Sequence, residues 1–350
     1  MIFTRKFGIE IECMLPRTQT MTSVANAISA AGVPCYNAGY SHSRSASWKV
    51  VSDGSLSGGN GMEIVSPPME GEASLQAIAT VCRVLNELGA TVNRSCGLHV
   101  HVDANRLSAG ALRRLAAIYI ENENIIDSFM PMSRRASNNS YCGSLRGTDM
   151  ARLARAQNAS DIGQAIAHGN RYVKLNYTAF LRHGTVEFRH HSGTVDADKV
   201  NKWLLTCLRL VACAVKEADL PVSTIEHTAN SQARPRNRRL AMIYDAMQRP
   251  GGCTRQDIAV LLNRRTLPPM NRILRNANFQ YRVEHRYGDR RTERYVLVST
   301  PVATVANPTP VAPVTFDGFC ARIEMPEAEK QFWVARQAAV SRTTLQSRAA

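Results

Sequence analysis

Three short segments set ionisable side chains on alternate positions of strand-like runs. Gly8 to Cys13 alternates apolar with acidic residues; Leu98 to Asp103 interleaves Leu98, Val100 and Val102 with His99, His101 and Asp103; Thr185 to His190 interleaves Val186 and Phe188 with Glu187 and Arg189. Residues two apart on a strand project from one face. Glu10 with Glu12, His99 with His101, and Glu187 with Arg189 should therefore each share a face. The solvated side of an antiparallel sheet would account for any one of these runs. Solvated faces are mixtures of Thr, Lys, Ser and Gln, whereas the types recurring here are Glu, His, Asp and Arg, which hold hard divalent cations and phosphates. Clustered carboxylates repel unless a cation lies between them, and magnesium is the natural candidate. Two more acids, Asp53 and Glu63, flank a Gly-rich turn, although Asp53 alone reads as an ordinary turn residue.

The elements that must position these groups alternate strands with amphipathic helices. A helical pattern runs from about Met21 to Ala31 and stops at Gly32; another carries Leu75, Ile78, Cys82, Leu85 and Leu88 up to Gly89. Ser108 caps a long helix with Leu112, Leu115, Tyr119, Ile126 and Phe129 on its buried side, and Val200, Leu204, Cys207, Leu208 and Val211 mark one more between about Asp198 and Ala218. Residues 41–60, rich in Ser and Gly, and the polar stretch 131–150 read as mobile loops and candidate lids. The reading is α+β.

The carrying motifs, in order, are FGIEIE (7–12), WKVVSDGSL (48–56), GMEIVSPP (61–68), CGLHVHVD (96–103), RYVKLNY (171–177) and TVEFRHHSGT (185–194). Together they resemble the amidoligase family of the carboxylate-amine ligase superfamily, whose wider relatives are glutamine synthetase and glutamate-cysteine ligase, over roughly residues 5–215. The resemblance implies a curved antiparallel sheet forming a partial barrel, with ATP and two or more Mg2+ ions on its concave face. It implies that Glu10, His99 and Glu187 share one metal site, that Glu12, Asp53 and Glu63 share another, and that Arg189 touches the transferring phosphate. His101, Arg171 and Lys174 become candidate nucleotide contacts, and Asn176 has either such a role or a structural one. The implied reaction is ATP-dependent, ADP-forming amide synthesis from a carboxylate and an amine, with Glu187 and Arg189 as its catalytic residues. A carboxylate oxygen attacks the γ-phosphate, and an amine then displaces phosphate from the acyl phosphate. No protein nucleophile is needed, so Cys96 reads as a packed small residue.

Charge divides the chain. Of a formal +15 over 350 residues, residues 231–300 contribute +10, fifteen arginines against five acids. Three helical patterns followed by strand-like runs at Tyr281 to Val283 and Tyr295 to Val298 give the order of a winged helix-turn-helix, added to the family pattern. Arg264, Arg265, Arg272 and Arg275 fall on or near its recognition helix, and Arg286, Arg290, Arg291 and Arg294 on its wing, which is a nucleic-acid footprint. The domains expected are a catalytic one over 1–230, a basic one over 231–300, and a Pro-rich linker with a terminal helix over 301–350. The leading expectation is a ligase acting on nucleic acid or a nucleic-acid-associated substrate. The alternatives are a ligase making a free small-molecule or peptide conjugate with the basic unit as a protein-interaction module, a metal-dependent hydrolase, and a DNA-binding regulator. Forty-four per cent hydrophobic residues exclude disorder as the dominant state. No apolar run approaches the roughly 18 residues that cross a bilayer, and nine scattered cysteines without a C-x-x-C pair suit reduced thiols, so a cytoplasmic protein is expected.

Overall fold

The computed structural model describes Phe3, residues 5–220 and 315–349, and between them Ile243, Met247, Cys253, Thr254, Asp257, Ile258, Tyr281–Glu284 and Arg294–Leu297. Two compact units arise, one from Met1–Thr224 with Val314–Ala350 and one from Ile225–Pro313.

The first unit is built on a seven-stranded open sheet. Its strands are β1 (Phe7–Leu15), β2 (Cys35–Gly39), β3 (Trp48–Val51), β4 (Asn60–Val65), β5 (Gly97–Asp103), β6 (Leu175–Asn176) and β7 (Thr185–Ser192), in the order β2-β3-β4-β1-β5-β7-β6. The sheet is mostly antiparallel, as expected; of its neighbours β2 and β3 alone run parallel, at one edge. Residues 40–47 carry the chain back along β2 before β3 begins, and buried Lys49 fastens this return by donating from Nζ to the carbonyls of Ser41 (3.1 Å) and Ser43 (2.6 Å). The 41–60 stretch is thus no single loop but holds β3 and the start of β4.

The apolar alternate residues Ile9, Ile11, Leu98, Val100, Val186 and Phe188 form the buried side of the sheet. Against it lie α1 (Met21–Ala30), α2 (Ser74–Glu87), α3 (Ala109–Ser128) and α7 (Ala197–Lys216); α4 (Met150–Arg155), α5 (Ala159–Ala167) and α6 (Ala179–His183) surround the other end. Three of the long helices, α1, α3 and α7, begin where a side chain can accept an otherwise unpaired N–H. Thr20 and Ser23 form a reciprocal box on α1, Ser108 Oγ accepts from Ala111 N at 3.1 Å, and Asp196 Oδ1 accepts from Lys199 N at 3.2 Å. The tail supplies α8 (Phe316–Arg322) and α9 (Glu327–Ala349), which put Trp333 into the core beside Phe129 and Trp203, with ring centroids 4.6 and 6.4 Å away. Cys13, Cys35, Cys82, Cys96, Cys142, Cys207, Cys213 and Cys320 of the first unit are reduced thiols. No helix among the described residues is long and apolar enough to cross a membrane.

The β5–β7 register shifts so that Leu98 faces His191 while Val100 faces Phe188, one extra residue on β7. This bulge breaks strict alternation. His190 and His191 both end on the helix side, His190 against Tyr119 and His191 against Trp203 and Trp333. Burial holds the His191 imidazole down at about 3, against the hydrogen bond that Nδ1 makes to the Ser192 carbonyl. Because the folded chain refuses a proton that the unfolded chain accepts below about pH 6.5, His191 contributes stability that is present above that pH and lost as pH falls towards 3. The cost of His191→Asn by urea unfolding should therefore be about 3 kcal/mol larger at pH 7 than at pH 4.5, two pH units of linkage. An equal cost at both would contradict this burial.

The second unit contains a three-stranded sheet of β8 (Cys253–Thr254), β9 (Tyr281–Glu284) and β10 (Arg294–Leu297), in the order β8-β10-β9 and antiparallel throughout. β9 and β10 pair where the sequence shows its two strand-like runs. Thr254 and Asp257 exchange backbone-to-side-chain hydrogen bonds of 2.7 and 3.1 Å, the reciprocal arrangement of a capping box. The winged-helix reading of the intervening helices, with Arg264, Arg265, Arg272, Arg275, Arg286, Arg290 and Arg291, falls outside the described residues.

Candidate active site

The sheet register brings the ionisable faces into one row. Glu12 on β1 lies opposite Glu63 on β4; Glu10 on β1 opposite His99 on β5; His101 on β5 opposite Glu187 on β7; and Glu187 opposite Asn176 on β6. This row floors a cavity of about 1220 Å³, whose lining includes Glu10, Asp53, Glu63, His99, His101, Arg171, Glu187 and Arg189.

His99 stands at the centre. Its Nδ1 lies 3.0 Å from Glu10 Oε2 and 3.7 Å from Glu187 Oε1, and its Nε2 lies 3.7 Å from Glu12 Oε1. His101 Nε2 lies 3.4 Å from Glu10 and 3.8 Å from Glu187, while its Nδ1 meets Thr185 Oγ1 at 2.9 Å. Asn176 donates to Glu187 Oε2 at 2.6 Å, and Arg189 pairs with Glu187 Oε1. Beneath the floor, Glu12 accepts from Gly97 N. Gly97 has no room for a side chain: a Cβ would meet His99 Nε2 at 2.8 Å and Glu12 Oε2 at 3.3 Å.

Two sets of three side chains can each converge on one cation, with ligand atoms within 4.8 Å of one another: Glu10, His99 and Glu187, and Glu12, Glu63 and His99. The first is the set expected. In the second, His99 takes the place expected for Asp53, which lines the cavity while its Oδ1 accepts from Ser55 N at 2.7 Å in a turn. A neutral imidazole has one lone pair, so His99 serves one ion at a time.

The electrostatics call for a cation. Burial drives Glu63 well above the ordinary carboxylate range, and the charges of Glu10, Glu12 and Asp53 push it the same way. Burial also raises Glu12, despite His99. Burial opposes ionisation of Glu10, but His101 and His99 outweigh it and hold that carboxyl well down. Glu187 is likewise lowered: burial raises it, and Arg189 with His101 prevails. Oxygen-rich, anionic and partly histidine-lined, the donor set fits a hard divalent ion.

Lys174 is not brought to the cavity. It is fully buried, paired with Glu123 and Asp127 on α3, which corrects its reading as a nucleotide contact. The 131–150 stretch is likewise tied down: Ala136, Leu145 and Arg146 all bond to those two carboxylates. Sequence reasoning missed Arg134, whose guanidinium donates to the Cys96 carbonyl beside Glu12, and Thr185, which orients His101. Neither has a periodic signal, because each acts through a partner far along the chain. It also missed α5, which puts Gly163 and Gln164 on the cavity wall. There a signal existed: Asn158 caps Asp161 ahead of helically spaced Ile162, Ala165 and Ile166.

The sequence profile of the family described as "Putative amidoligase enzyme" matches residues 4–211. No curated protein matches the chain. Among solved structures, it is similar to one titled "Crystal structure of novel glutamine synthase homolog", at 12% identity and a TM-score of 0.33, over 63% of this chain and 56% of that one.

Proposed function

The chain belongs to the amidoligase family, and from that premise we propose that its cavity is the active site of an ATP-dependent, ADP-forming carboxylate-amine ligase. One observation carries the reading: Glu10, Glu63, His99 and Glu187, drawn from four strands, gather on one cavity floor with Glu12 beneath it and Arg189 beside them.

Glu10, His99 and Glu187 would hold one Mg2+, and Glu12 and Glu63, with Asp53 nearby, a second. When bound, these ions neutralise the polyphosphate oxygens and favour phosphoryl transfer. Glu187 thereby has two tasks, as ligand and as the anchor of the Arg189 guanidinium. Arg189 neutralises charge that grows on the transferring phosphoryl group. The substrate carboxylate attacks the γ-phosphorus, ADP leaves, and the amine then displaces phosphate from the acyl phosphate to leave the amide. His101, steadied by Thr185, faces the same space and contacts nucleotide or substrate. Arg171, with its guanidinium over the Tyr172 ring at 4.8 Å, offers a second cationic wall. No residue needs to act as nucleophile, and burial raises the Cys96 thiol away from reactivity.

The test is ADP release by the purified chain with Mg2+, screened against amino acids with and without DNA, with the product identified by mass spectrometry. No ADP under any combination would withdraw the reading. The +10 charge of residues 231–300 supports a nucleic-acid-associated substrate. The log of DNA affinity should then fall linearly with log salt, by about 0.9 for each phosphate contacted, and DNA should change ATP turnover. Absence of binding at low salt would favour a free conjugate as product.

A further inference from the structure

Beneath the site lies a buried charge cluster to which the reaction gives no task. Lys174 Nζ sits 2.8 Å from Glu123 Oε1 and 2.6 Å from Asp127 Oδ1. The remaining carboxylate oxygens hold the 131–150 loop: Asp127 Oδ2 accepts from Ala136 N at 3.0 Å and from Arg146 at 2.6 Å, and Glu123 Oε2 accepts from Leu145 N at 2.8 Å. Replacing buried ion pairs by neutral side chains of similar volume is often neutral or stabilising, so stability alone is a weak reason for an ammonium here. What fixed charges add is direction.

That direction leads to the site along two routes, besides the contact of Asp127 Oδ1 with Nε2 of His190, the neighbour of Arg189, at 2.8 Å. On the Lys174 side, the carbonyl of Lys174 accepts from Arg189 N at 2.8 Å, and two residues on Asn176 donates to Glu187 at 2.6 Å. On the loop side, the Tyr141 carbonyl accepts from Arg189 Nε at 3.5 Å, and Cys142 Sγ donates to the Arg189 carbonyl at 3.4 Å. Both segments that grip Glu187 and Arg189 are fastened to the same two carboxylates of α3.

We propose that Lys174 is a positioning residue, which sets Asn176 and the 131–150 loop in the one arrangement that aims Glu187 and Arg189 at the cavity floor. Its kinetic consequence rests on the ligase reading; its geometric consequence does not. The test is the full chain carrying Lys174→Met with Asp127→Asn, which removes one charge of each sign at nearly constant shape. Its crystal structure should show the Asn176–Glu187 hydrogen bond broken, and Mn2+ should bind at least about tenfold more weakly than to the parent chain. Turnover of ATP should fall about 30-fold in kcat with KM for ATP little changed, because an orienting group acts on the reacting geometry more than on uniform binding. A merely structural role would lower the melting temperature and leave Mn2+ affinity and kcat of the folded protein alone. An intact hydrogen bond with unchanged Mn2+ affinity would overturn the proposal. Should the double variant not fold, Glu123→Gln leaves Lys174 one carboxylate, and Mn2+ affinity should still drop about threefold, a partial second-layer effect; no drop would overturn it equally. A parent chain that binds Mn2+ but forms no ADP would remove the ligase reading and leave positioning to be judged by the structure and the titration.

Discussion

Glu187→Gln and Arg189→Ala should each lower Mg2+-dependent ADP formation on the order of a thousandfold, the scale of losing one charge-stabilising group at a reacting centre. The two side chains form one unit. Glu187 faces His99 at 3.7 Å, accepts from Asn176 at 2.6 Å and pairs with Arg189, so the amide in Glu187→Gln weakens a metal ligand and frees the guanidinium together. Removal of Arg189 leaves a buried carboxylate without the cation that most favours its charge, since burial alone would raise it. Glu187→Gln removes the buried charge and should keep the melting temperature close to the parent's, whereas Arg189→Ala strands that charge and should lower it. Turnover assays beside thermal melts read both halves of this statement; near-parental turnover in both variants would remove the two residues from the chemistry.

The second large effect is on stability. Trp333→Ala should cost about 3–5 kcal/mol, the range for emptying a fully buried aromatic site. Trp333 is 0% exposed and stacks near Phe129, Trp203 and His191, elements widely separated along the chain. The tail is held besides by Arg209 with Glu329 and by Arg322 with Glu121 and Glu217. Chemical denaturation measures the cost, and a loss under about 1 kcal/mol, the size of a surface change, would mean that α9 does not seal the core.

Much of the site was legible because a strand's period of two leaves little choice of face. Glu10 with Glu12, His99 with His101, and Glu187 with Arg189 lie as alternation required. The pairing of ligands was less legible. Whether His99 stands beside Glu10 or Glu12 depends on a register between segments 89 residues apart, and in the structure it reaches both. His191 escaped the pattern through one extra residue on β7, a bulge that apolar spacing does not announce. Lys174 was misread for want of its partners. Tyr119, Glu123 and Asp127 recur every four residues on α3, and two acids within a buried stripe ask for a cation, which Lys174 of RYVKLNY supplies. Lys49 and Arg134 gave no such hint, since both bond to main-chain carbonyls and no motif marks an acceptor of that kind.

The most direct measurement is anomalous diffraction from crystals grown with Mn2+ and a non-hydrolysable ATP analogue. Two peaks are expected, one among Glu10, His99 and Glu187 and one beside Glu12 and Glu63, with the polyphosphate against them and Arg189 near its terminal group. A nucleotide bound elsewhere, or no metal on this floor at millimolar Mn2+, would contradict the account at its centre.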